Sequence, residues 1–182
     1  MALEAVTQVH ADFVEEKTLH LLDHPLRSRG TLLFSPKQGV YRVLLEPVHQ
    51  EQLITRSQVM QKDAQGTVQR MKVRDQPAAR AFVDVFLSFF SGDRSAWNKT
   101  FQARFEGSLQ DWKIELIPHR KSQAEKALRK ILLEGHEGLL DAMTLTETNG
   151  DVTRTRYTNQ QVARDSAGDA VMPFPTDLKA EP

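Results

Sequence analysis

The chain has 182 residues, no cysteine, and 24 basic residues balanced by 24 acidic ones. That length is one domain with room for a real core, and the missing cysteines exclude disulfides, thiolate metal sites and cysteine nucleophiles. Zero net charge with no polybasic run argues against nucleic acid and against an anionic membrane surface as partner.

No apolar run approaches the ~20 residues of a membrane span, so stable insertion is not expected. Met1-Ala2-Leu3-Glu4 carries neither a charged n-region nor an apolar h-region. The chain is therefore either cytosolic or a mature protein whose signal peptide has been removed.

Leu3, Val6 and Val9 at helical spacing suggest a short helix over Ala2 to Val9. His10 to Leu22 reads as a long strand with Phe13, Leu19 and Leu21 on one face. His24-Pro25 turns the chain into a second strand, Arg27 to Ser35, with Leu32 and Phe34 on one face. Ser35 to Gly39 is a turn, and Val40 to Leu45 a third strand ended by Pro47. Links this short imply antiparallel pairing. Gln52 to Gln61 and Thr67 to Val73 read as two further strands.

Gln76 to Gly92 is the stretch that organises the chain. Asp75 is a good N-cap, Pro77 falls in the first turn, and Gly92 follows the last apolar residue. On a helical wheel Phe82, Val83, Val85, Phe86, Leu87, Phe89 and Phe90 cover an arc of roughly 200°, against ~100° for an ordinary surface helix. Only Arg80, Asp84 and Ser88 mark a polar side. Such a helix must be covered on more than one side, either by a sheet alone or by a sheet and a ligand.

After a helical turn at Asp93 to Asn98, alternation becomes clean. Phe101, Ala103 and Phe105 alternate with polar residues, as do Trp112, Ile114 and Leu116 across a five-residue link. Each strand has a dry face and a wet face, as in an antiparallel sheet covered on one side. Ala127 to Leu133 and Leu139 to Thr148 are two more strands. Asn149-Gly150, a type I′ candidate, leads into a last strand at Val152 to Tyr157. Residues 1–165 form one domain on this reading, and 166–182 an irregular tail. Nine or ten antiparallel strands in one sheet tend to curl. The fold class is mainly β with helices, a curled antiparallel sheet whose dry side the Phe-rich helix covers.

A search for chemistry finds none. Of the six histidines only His20 and His24 have a ligand spacing, and a Pro turn separates them, so no metal site or cofactor is expected. Glu15 and Glu16 point to opposite faces of a strand and cannot share a proton. There is no Gly-x-Ser-x-Gly and no phosphate-binding Gly-rich loop. No catalytic residue is assigned. What remains is an apolar concavity, and an acyl chain is the ligand that suits one.

Several short stretches, in order and spacing, resemble the LolA family of periplasmic lipoprotein carriers. They are Phe13-Val14-Glu15, Ser28-Arg29-Gly30, Phe34-Ser35-Pro36, Tyr41-Arg42 and Glu46-Pro47, then Trp112 to Pro118, Ile131 to Leu133, Met143 to Gly150 and Arg154 to Tyr157. The similarity spans roughly Ala2 to Thr158. It implies an unclosed β-barrel with a helical lid, a monomeric shuttle in the periplasm, and acyl cargo taken from an inner-membrane transporter to an outer-membrane acceptor. Two positions depart from the family. Ser35 stands where those carriers have an Arg that ties the lid, and Val43 stands where they have a Trp.

The combined expectation is a lipid-binding cavity lined by Phe13, Leu32, Phe34, Tyr41, Val43, Phe101, Phe105, Trp112, Ile114 and Leu116. Phe82, Val85, Phe86 and Phe89 face them from the helix, and Ser35 marks the lid gate. Two other readings stay open: a non-catalytic sensor or assembly module of the same fold, and an enzyme acting on a lipid-like substrate.

Overall fold

The computed structural model describes residues 6–75, 77–91 and 94–164. The expected tail, and residues 2–5 of the expected first helix, lie outside them. From Val6 the chain is already extended. Strand β1 (Val6–Thr18) pairs on one side with β2 (Leu26–Ser35) and on the other with β11 (Val152–Arg164). Val9 is opposite both Phe34 and Val162, so two rows of backbone partners outweigh the helical spacing of three small apolar residues. The strand stops at Thr18, and Leu21, expected on its dry face, is an exposed loop residue.

The remaining strands are β3 (Gly39–Glu46), β4 (Gln50–Ile54), β5 (Gln58–Asp63), β6 (Val68–Lys72), β7 (Phe101–Gly107), β8 (Trp112–Pro118), β9 (Leu128–His136) and β10 (Leu139–Glu147). Eleven strands among the described residues form one antiparallel sheet in the order β6-β5-β4-β3-β2-β1-β11-β10-β9-β8-β7. The expected single strand from Gln52 to Gln61 is two. Thr55 folds the chain back, its hydroxyl accepting the Ser57 and Gln58 amides. That Thr-Arg-Ser turn has no Gly or Pro to announce it.

Every sheet neighbour is also a sequence neighbour, except the central pair β1 and β11. Two meanders therefore meet at the middle of the sheet, which leaves β6 and β7 as its edges among the described residues. The segment between those edges carries the helices α1 (Pro77–Ser91) and α2 (Arg94–Thr100). The sheet is not closed, and the helices run from one of its edges to the other.

Turn chemistry differs from expectation at one hairpin. Asn149-Gly150 belongs to a three-residue loop in which only Gly150 is left-handed, closed by the Glu147 amide donating to the Asp151 carbonyl. The two successive positive-φ residues that a type I′ turn needs occur at Glu137 and Gly138, between β9 and β10.

The core lies on the face of the sheet under α1. It joins Val9, Ala11 and Phe13 of β1 to Leu32 and Phe34 of β2, to Leu116, Ile131, Leu133 and Met143 beyond the central pair, and to Val83, Val85, Phe86 and Leu87 of α1. Gly135 and Trp112 sit opposite each other on this face. A Cβ on Gly135 would lie 2.3 Å from Trp112 Cζ2, so glycine here is what lets the indole lie flat on the sheet.

Candidate functional site

Placement of the expected site residues follows from strand register. Phe13, Leu32, Phe34, Val85, Phe86, Phe101, Trp112 and Leu116 meet in one buried apolar cluster, with Phe89 and Ile114 packed against it. Phe86 is the keystone of the helix. Its ring meets Phe34 edge-on at 5.4 Å and Tyr157 at 6.0 Å. One turn on, Phe89 lies 5.4 Å from Trp112 and stacks parallel to Trp97 of α2 at 6.4 Å. The helix thus contacts β2, β11 and β8, strands from both meanders. The side chain of Phe82 lies outside the described ones.

Three expected members do not join the cluster. Tyr41 and Val43 are on the other face of β3, where Tyr41 packs against a separate small cluster of Leu53 and Met60 and donates its hydroxyl to Glu51. Val40 is opposite Phe34, and this places Val40, Arg42 and Leu44 under the helix side instead. Phe105 shares the inner face through its pairing with Ile114, yet is 61% exposed, because β7 is an edge strand of the sheet formed by the described residues. Ser35, the expected gate, is buried at the end of β2, its carbonyl accepting the Gln38 amide.

Sequence reading missed the polar half of the inner face. Arg42 turns inward, its guanidinium 4.4 Å over the Phe13 ring and 2.9 Å from Glu15 Oε2. The Thr155 hydroxyl donates to the same carboxylate oxygen at 3.1 Å. Tyr157 adjoins this group, and burial pushes its phenol pKa well up. Further out, register puts Gln50, Gln52 and Gln61 on the same face, Gln52 donating to Gln50 at 3.0 Å. The inner surface is therefore amphipathic, apolar beneath α1 as far as Ile54 and Val59, and polar along Arg42, Gln50, Gln52 and Gln61. The Tyr41-Arg42 pair was visible in the sequence, but a charged residue is ordinarily read as facing water. Glu15, on a strand two places away in the sheet, supplies the inward charge that reverses that rule.

No group of three or more metal-ligating side chains occurs among the described residues. No described helix is long and apolar enough to cross a membrane. The described residues of the site are aromatic rings, aliphatic side chains and the Arg42–Glu15 ion pair.

A family model described as outer membrane lipoprotein carrier protein LolA-like matches residues 2–173. The chain belongs to the LolA-like family. That family is in general one of non-catalytic, carrier-type proteins of the cell envelope. No curated protein matches the sequence. Among solved structures, the chain is similar to a LolA superfamily protein from Nitrosomonas europaea, at 11% identity and TM-score 0.47, with 86% of each chain covered. It is also similar to a DUF1329 family protein from Desulfovibrio piger, at 10% identity and TM-score 0.46 over 90% and 88% of the two chains. A third likeness is to a chain of the Pseudomonas aeruginosa MucA/MucB complex, at 14% identity and TM-score 0.48 over 96% of this chain and 56% of that one. Family membership rests on the family model alone, since similarities of this strength carry no weight about cargo.

Proposed function

We propose that this LolA-like chain is a periplasmic carrier that holds acyl chains of a lipoprotein or a related lipid between its helices and the inner face of its sheet. On this reading it takes cargo from an inner-membrane transporter, passes it to an outer-membrane acceptor, and catalyses nothing. The carrying observation is the apolar seam: α1 lays Val85, Phe86 and Phe89 against Phe13, Leu32, Phe34, Phe101, Trp112 and Leu116 across the open side of an unclosed sheet.

The seam is closely packed, with Phe13, Phe34, Phe86 and Phe101 each at most 2% exposed. Cargo must therefore part the helices from the sheet. The helices are suited to that movement, since the chain between β6 and β7 adds no strand to the sheet. A 16-carbon chain replacing the lost contacts offers ~0.8 kcal/mol per CH₂, on the order of 10 kcal/mol before ordering costs. That is enough to offset the exposure of several helix side chains.

Protein purified from its native host, extracted with organic solvent and examined by mass spectrometry, tests the reading. An acylated species near one per protein supports a carrier. A delipidated protein that neither yields nor rebinds any amphiphile favours a sensor or assembly module on the same fold.

A further inference from the structure

Three buried side-chain polar atoms among the described residues have no hydrogen-bond partner: His10 Nδ1, Thr144 Oγ1 and Trp97 Nε1. Register separates them. His10 is opposite Leu33 and Thr144 opposite Leu132, positions that alternate with the inner-face residues of their strands. Only Trp97 belongs to the core under the helices, where the residue is 7% exposed.

An indole N–H is a donor and nothing else, so burial without an acceptor leaves its one polar requirement unmet. The planes of Trp97 and Phe89 are 8° from parallel. The N–H lies in the plane of its own ring, so it runs alongside the Phe89 face and does not point into it. The neighbouring flank is also the least covered part of the seam: Phe89 and Ile114 are half-buried, and Phe105 on the edge strand is exposed. An apolar surface with an open side and one unmet donor matches a ligand that is hydrocarbon with one acceptor.

We infer that the Trp97 indole N–H is the polar anchor of the carrier site, donating to the carbonyl oxygen of an acyl group whose chain lies along Phe89 and Trp112. The inference rests on the carrier reading and sharpens it. It selects acids and esters, whose carbonyl can accept, over pure hydrocarbon of the same length. It also fixes the polarity of binding, with the carbonyl at α2 and the chain running under α1.

The test uses delipidated full-length protein, N-phenyl-1-naphthylamine as a fluorescent apolar probe, and palmitic acid and methyl palmitate as displacing ligands. In Trp97→Phe, displacement by either ligand should weaken roughly five- to tenfold, the scale of one hydrogen bond, while affinity for the probe holds. A loss confined to palmitic acid would assign the contact to a free carboxylate, and a loss for both to the acyl carbonyl. The second readout needs no variant to bind. The two indole N–H resonances of the wild-type protein are followed by NMR, that of Trp97 being identified as the one that survives in Trp112→Phe. Methyl palmitate should move it downfield and slow its exchange with water. If wild type binds neither probe nor ligand, the carrier reading falls and the anchor with it. If wild type binds both while the Trp97 resonance stays in place, or Trp97→Phe is displaced as readily as wild type, the anchor alone is overturned.

Discussion

Phe86 and Phe89 are one turn apart on α1 and carry the same ring, yet they should fail in different assays. Phe86 is 1% exposed and touches Phe34 and Tyr157, on strands to either side of β1. Truncating a buried Phe costs about 3–5 kcal/mol, cavity included. Two aromatic contacts, worth roughly 0.5–1.5 kcal/mol each beyond area, place Phe86→Ala toward the upper end. At about 2–4 °C per kcal/mol for a domain of this size, the midpoint should fall by roughly 10–20 °C. Phe89 is half-buried at the open flank, so Phe89→Ala should cost only about 1–2 kcal/mol in folding. It should weaken binding of a fluorescent fatty acid by at least that much, because its ring faces cargo on the proposed reading. Thermal melts and titrations on the same two variants separate the roles. Equal destabilisation by both substitutions, with binding per folded molecule unchanged in Phe89→Ala, would refute the division of the seam into a packed half and a cargo half.

Arg42→Met should lower stability by about 3 kcal/mol in urea titrations, since it leaves the Glu15 carboxylate on a mostly buried face without its cation. Adding Glu15→Leu should recover most of the loss; no recovery would mean that Arg42 acts by packing on Phe13 and not by pairing. Asp151 accepts the His20 backbone N–H and then its side chain, which holds its pKa below the ordinary 3.8. A depressed acid stabilises above its unfolded pKa, so this contribution is complete above 3.8 and lost as pH falls through the lower folded value. Melts of Asp151→Asn should converge on wild type in acid and diverge above that range. His136 runs the other way: its hydrogen bond to Asp141 raises its pKa, so its contribution is present below 6.5 and fades as pH climbs through the folded value. An NMR titration should return His136 toward 6.5 in Asp141→Asn. Ser35→Arg, adding the cation that the family resemblance implies at that position, should slow cargo release and make it salt-dependent; unchanged release at low and high salt would remove Ser35 as the proposed gate.

The sheet was legible in the sequence wherever one face is dry and the other wet, as at Phe101 to Glu106 and Trp112 to Leu116. Alternation reports which residues share a face and is silent about what covers it. Phe105 is on the expected face and still exposed, because its strand turned out to be an edge. Val40 to Leu45 is apolar at both parities, so choosing its face by the aromatic Tyr41 chose wrongly. Its register is decided by the turn at Gly39 and by Glu15 reaching Arg42 from β1. Gly30 records the same strand's approach, since a Cβ there would meet the Val43 carbonyl oxygen at 1.8 Å. The central pairing of β1 with β11 joins residues more than 130 positions apart, and no local pattern could have shown it. Apolar spacing and composition did show the helix, because an arc as wide as that of α1 has no other use than to be covered on more than one side.

The claim that cargo lies between α1 and the inner face can be tested by location as well as by affinity. A photoactivatable fatty acid with a diazirine near its tail is bound to delipidated protein, irradiated, and the labelled peptides sequenced. The account predicts label on α1 around Phe89 and on inner-face residues such as Trp112 and Ile114, competed away by unlabelled palmitic acid. Label on Tyr41, Leu53 or Met60 of the opposite face, or label that palmitic acid does not displace, would contradict it.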